Sequence, residues 1–98
     1  MGIAASLDEL RGTLALGLGR LEAAEQHFID GREWSARSDV RFGLVEGRCL
    51  QGLAAIAEAR GDEALAIAHL DAAGDRLAPY RATSYLGEVI ERKLRLNA

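Results

Sequence analysis

Arg41 and Arg48 stand one heptad apart in a stretch that reads as helix, so their guanidinium groups fall on one helical face. Two stacked guanidinium groups can hold a carboxylate bidentately, which makes them the residues best suited to bind an acidic ligand. The other candidate chemistries are weaker. The run Gly17-Leu18-Gly19-Arg20-Leu21-Glu22 begins like a dinucleotide-binding loop, but it places an acid where the third glycine belongs and a leucine-rich helix where a strand should precede it. It reads instead as a bend between two helices, made by Gly17 or Gly19. His27 and His69 lack the further ligands that zinc requires, Asp30 being the only candidate near His27 at helical spacing, so both read as packing or edge histidines. The carboxylate pairs Glu22/Glu25, Asp62/Glu63 and Glu88/Glu91 lie on expected helix starts or outer faces beside arginines and read as solvated surface. No catalytic set, cofactor site or metal site is nominated.

These residues must be carried on helices. The chain has 98 residues, room for one domain, and it is 49% hydrophobic with only 5% aromatic residues. Its core must therefore be built from Leu, Ala, Ile and Val at close helix approach. One proline and no sustained alternation of apolar and polar residues leave no candidate strand. Net charge is −3, with twelve basic residues interleaved among fifteen acidic ones, which argues against direct nucleic-acid binding. No apolar run is long enough for a membrane span and no signal peptide is evident, so a cytoplasmic protein is expected. The start MGIAAS matches a myristoylation pattern too short to carry weight. The single cysteine, Cys49, reads as a buried apolar residue. Eleven arginines against one lysine suggest a bacterial gene of high GC content.

Five helices are expected. The first opens on a capping box, Ser6 to Glu9, and carries Leu7, Leu10 and Leu14. The second buries Leu21, Ala24, Phe28 and Gly31 and ends near Trp34 to Asp39. Ser38 or Asp39 caps a third, running to about Arg60, with Phe42, Val45, Cys49, Leu53 and Ile56 on one face and Leu50, Ala54 and Ala57 beside it. Being apolar on two sides, it must lie between neighbours. Gly61 ends it, Asp62 caps the fourth, and Ala66, Leu70, Ala73 and Leu77 form the fourth helix's buried stripe. Pro79 begins or precedes a fifth helix with Tyr85, Leu86, Ile90 and Leu94 and a basic end suited to the helix dipole.

An internal repeat organises these helices. Gly19 aligns with Gly61, Ala24 with Ala66, His27 with His69, Phe28 with Leu70 and Gly31 with Ala73, all 42 residues apart. The pattern resembles the tetratricopeptide repeat. Leu50, Leu53, Ala54 and Ala57 stand at the W, L, G and Y places of one copy, followed by Gly61, Ala66, Leu70, Ala73 and Pro79. In the other copy Gly12, Gly19, Ala24, Phe28 and Gly31 match, while Asp8 and Arg11 occupy apolar places. Residues of about 39–95 also resemble the repeat region of large bacterial ATP-dependent regulators of the LuxR and MalT type, although the chain lacks a P-loop pattern and a recognisable DNA-binding motif.

The resemblance implies an all-α domain of stacked helix-turn-helix repeats: repeat one about 6–37, repeat two about 39–77 and a capping helix about 79–96. It further implies a non-enzymatic module that binds a protein or peptide in a concave groove, as part of a bacterial signalling or transcriptional regulator. The groove face would carry Arg41, Arg48, Gln51, Ala55 and Glu58. The alternative is ion pairing within the domain, Arg41 to Glu46 or Arg48 to a groove acid, the commoner fate of surface charges. The carboxylate clamp of chaperone-binding tetratricopeptide domains needs Lys and Asn, and this chain has Gln51 and Gly52. Alternative functions are an inducer-sensing end module or a small self-associating helical protein. The first helix is shorter than its counterpart, so the chain is expected to be an end piece of a longer array or to form a homodimer through exposed ends.

Overall fold

The computed structural model describes residues 2–37, 43–78 and 83–96. These form five helices and, among the described residues, no strand: α1 (Gly2–Gly17), α2 (Leu21–Arg37), α3 (Gly43–Ala59), α4 (Glu63–Leu77) and α5 (Thr83–Leu96). Each helix packs on the next in sequence, and α1 also touches α3. Phe28, Cys49, Leu50, Ile56, Leu70 and Leu77 lie fully inside, and the small residues Ala24, Ala66 and Ala73 are wholly buried where helices meet. Close contact through alanine substitutes for large rings.

The two turns are built alike, bond for bond. After α1, the Arg20 amide donates to the Ala15 carbonyl at 2.9 Å and the Gly19 amide to Leu16 at 3.0 Å. After α3, Asp62 donates to Ala57 at 2.9 Å and Gly61 to Glu58 at 3.0 Å, the same atoms 42 residues on. This is the Schellman closure, which needs a left-handed residue just past the helix. Gly19 and Gly61 supply it with φ of 74° and 79°. Gly19 therefore makes the turn, and Gly17 is the last residue of α1. Asp62 caps α4 as expected, its Oδ1 accepting from the Leu65 amide at 3.1 Å.

α2 is fitted to α1 and α3 by an aromatic ring. A Cβ built on Gly12 would lie 2.7 Å from the Phe28 ring and one on Gly52 only 2.4 Å from it, so the ring occupies space that any side chain at either position would need. Ser35, also fully buried, satisfies its hydroxyl by donating to the Gly31 carbonyl at 2.8 Å.

Several local expectations are corrected. α1 begins at Gly2, so Ser6 lies inside the helix rather than at its cap. Ala4 and Ala5 favour helix upstream, and the Glu9 carboxylate that would complete the capping box is bound to Arg48 instead. Leu7, Leu10 and Leu14 point outward, and α1 turns Glu9, Gly12 and Ala15 inward. α5 does not bury Ile90 and Leu94. It rests on Val89, which meets α4 at Gly74, with Leu86 and Leu96 half-buried beside it. Three polar contacts accompany that face: Gln51 with Glu88, Glu58 with Arg95 and Asp71 with Lys93. The proposed caps Ser38 and Asp39, together with Phe42 and Pro79, lie outside the described residues, as does the side chain of Tyr85.

Two pairs of substitutions test these assignments. Gly19→Ala, forced to positive φ, should lose about 1 kcal/mol in urea unfolding, whereas Gly17→Ala, helical and in open space, should gain about 0.5 kcal/mol. Gly52→Ala should cost about 1–2 kcal/mol, ring overlap outweighing the gain in helix propensity. Combined with Phe28→Leu it should cost less than the two changes summed, and strict additivity would contradict the clasp.

Candidate functional site

α1, α3 and α5 converge on a concave pocket of about 220 Å³. Its apolar floor is Leu16, Phe28, Gly52 and Ala55, and its polar wall is Glu9, Thr13, Arg48, Gln51, Glu88 and Arg92. At the base of that floor lies the Phe28 ring of α2, itself 2% exposed, packed so close to Gly52 that a Cβ there would lie 2.4 Å from it.

The wall is largely neutralised from within. Arg48 lies 2.8 Å from the Glu9 carboxylate, which is almost buried between α1 and α3. Gln51 donates to Glu88 Oε2 at 3.3 Å and joins α3 to α5. Thr13 returns its hydroxyl to the Glu9 carbonyl at 2.9 Å. Arg92 is half-buried in the wall and has no ion-pair partner among the described residues. Glu88, one turn before it on α5, is met by the neutral Gln51 amide, so the lining sets Glu9 and Glu88 against Arg48 and Arg92 and is formally neutral as a whole.

Of the residues expected to line a groove, Arg48, Gln51 and Ala55 lie together in this pocket. Glu58 sits one turn further along α3 and holds Arg95 of α5 at 2.7 Å, outside the pocket lining. Arg41 lies outside the described residues. Glu46, considered as its partner, is buried and meets Arg76 of α4 at 3.3 Å. Glu9, Phe28, Glu88 and Arg92 were not anticipated as site residues. Arg92 and Glu88 belong to a helix joined to α3 and α4 by long-range polar bonds, and neither has a local signature. The Gly52 signal was present in the sequence, as a glycine inside an apolar helix pattern.

The remaining candidates are engaged elsewhere. His27 Nδ1 is 3.9 Å from Asp8, and His69, half-buried near Arg32, has its pKa lowered by burial first and by that arginine second. Glu25 binds Arg60 at 2.8 Å, Asp62 caps α4 and Glu88 accepts from Gln51, so these acids face other helices or a helix end rather than their neighbouring acid. Among the described residues no three His, Cys, Asp or Glu side chains gather as metal ligands. No helix of the described residues is long and apolar enough to cross a membrane.

Cys49 lies directly behind the wall, fully buried, and its thiol pKa is pushed up to about 12, first by burial and then by the Glu9 and Asp8 carboxylates. In comparisons with known proteins, no family model matches the chain, and neither a curated protein nor a solved structure matches it.

The thiol gives a measurable pH dependence. The unfolded chain ionises Cys49 near 9.0 and the folded chain near 12, so the neutral thiol's contribution to stability is complete below pH 9 and lost as pH rises from there towards 12. The wild type should therefore lose more stability than Cys49→Ala across that window in paired urea titrations. Alkylation of the folded protein at pH 8 should be slow, and Glu9→Gln should shift its pH profile downward.

Proposed function

We propose that the chain is a non-enzymatic protein-interaction module of tetratricopeptide type, a short solenoid of helix pairs that receives an acidic peptide in the pocket between α1, α3 and α5. The observation that carries this reading is the pocket itself. Alternate helices supply its walls, as in a stack of helix pairs whose first members line one side. The repeated turn at Gly19 and Gly61 supports the same arrangement.

The chemistry favours a peptide over an engulfed metabolite. At about 220 Å³ the pocket is smaller than the roughly 300–1,000 Å³ typical of small-molecule sites. It suits one small apolar side chain against Leu16 and Ala55 and one carboxylate at Arg92. Affinity would come from burying the apolar group, and orientation from the charge. In this reading Arg48 orients the wall through Glu9, Gln51 ties the wall to α5, and Glu58 fixes α5 from the side. The tetratricopeptide and LuxR/MalT resemblances rest on residues such as Ala54, Gly61, Ala66 and Leu70, and a place in a bacterial signalling or transcriptional regulator is the setting they suggest.

A random peptide library displayed on phage tests the proposal. Panning should enrich sequences with an Asp or Glu next to an apolar residue, and synthetic copies should bind the wild type in fluorescence polarisation. Arg92→Glu should weaken them by about tenfold or more, as expected when a partly buried charge contact is reversed. Ala55→Trp, which fills the pocket, should abolish binding. Enriched peptides that bind both variants like the wild type would overturn the assignment of the site.

A further inference from the structure

The outer face of α1 is apolar and uncovered. Leu7, Leu10, Leu14 and Leu18 are 42–69% exposed, and Leu14 and Leu18 form a groove with Ala15 and Ala23 at the α1–α2 hairpin. The repeat shows what such a surface holds. Forty-two residues on, Leu14 becomes Ile56, which is 1% exposed, and Leu7 becomes Cys49, which is wholly buried. α3 packs on both α1 and α2, and Glu25 of α2 binds Arg60 at the end of α3. The equivalent positions Leu7 and Leu14 on α1 have no such cover, although the counterparts of Leu18 and Ala23, Arg60 and Leu65, are exposed in both copies.

The charge of the α1 groove selects the helix. Arg11 and Arg20 flank the groove, and neither has an ion-pair partner among the described residues. At the other end of the chain, α5 exposes Gly87, Ile90, Glu91 and Leu94 on one stripe, with Ile90 58% and Leu94 68% exposed. The cations Lys93 and Arg95 of that helix are turned onto Asp71 and Glu58, which leaves Glu91 as the stripe's uncompensated charge. Two α1 faces brought together would oppose four arginines. An α1 face and an α5 face are complementary in both apolar character and charge.

We infer that the chain associates head to tail with a second copy of itself, the Ile90-Glu91-Leu94 stripe of α5 in one copy seating in the Leu14–Leu18 groove of the next, with Glu91 meeting Arg11 and Arg20. The contact joins two different surfaces, so each added copy presents a fresh groove and a fresh stripe, and growth does not stop at two. This rests on the repeat reading of the helices and not on any occupant of the pocket.

Sedimentation velocity over a wide concentration range tests it. The wild type should pass from monomer through dimer to larger species. Leu14→Asp/Leu18→Asp and Ile90→Asp/Leu94→Asp alter exposed positions only, should keep wild-type circular dichroism, and should each weaken association by about a hundredfold or more. Mixed, the two variants should form a one-to-one complex and nothing larger, because each keeps the face the other lacks. Arg11→Glu/Arg20→Glu mixed with Glu91→Arg should associate more tightly than either alone. A wild type monomeric at millimolar concentration, self-association that survives either apolar double variant, or a mixture that stays monomeric would overturn the inference. Arg92→Glu should leave assembly unchanged, which keeps this result separate from the peptide experiment.

Discussion

The ring of Phe28 lies between α1 and α3 at the level of Gly12 and Gly52, and the placing of the first three helices follows from that contact. A ring wedged between two helices can stay there only if both give up a side chain, and both do. Because the ring comes from α2, the same contact fixes the depth of α2 beneath the other two. It also underlies the floor of the pocket, so the packing that stabilises the fold supports Leu16 and Ala55 above it.

Much of this was legible from small residues. Glycines and alanines repeating at 42 residues identified the turn and the sites of close approach, because the requirements for positive φ and for a missing Cβ act at single positions and leave single-residue signatures. Between Gly17 and Gly19 the backbone geometry decides, Gly19 taking the positive φ while Gly17 stays helical. Less was legible where the outcome depended on distant partners. Ser6 and Glu9 form a capping box on paper, but Glu9 gains more by facing Arg48 across the helix interface. The apolar residues of α5 do not by themselves say which face turns inward: Val89 is buried, Ile90 and Leu94 are exposed, and three polar links join the helix to α3 and α4. Of the groove residues read from the sequence, Arg48, Gln51 and Ala55 fall together because they share one face of α3, a local property. Arg92 and Glu88 join them through tertiary contact alone.

The interior charges follow one rule. Glu9 and Glu46 are nearly buried, and each is met by an arginine from another helix, Arg48 and Arg76 respectively. In each pair only the carboxylate is nearly buried, the arginine staying more than a third exposed, so these pairs add little net stability, but losing the arginine leaves a poorly solvated carboxylate unpaired. They penalise alternative registers of α1 on α3 and of α4 on α3. In a core so rich in alanine and leucine, where many sliding arrangements bury similar area, such pairs help to single out one.

The three walls of the pocket are not equally stiff. Between α1 and α3 the separation is dictated by an incompressible ring pressed against two backbones. Between α3 and α5 it is spanned by the side chains Gln51, Glu88, Glu58 and Arg95, which are long and jointed and whose attraction is screened by salt. The cleft therefore behaves as a vice with one fixed jaw and one sprung jaw. Its width on the α5 side can adapt to the bulk of what it grips, and ionic strength sets the tension of the spring.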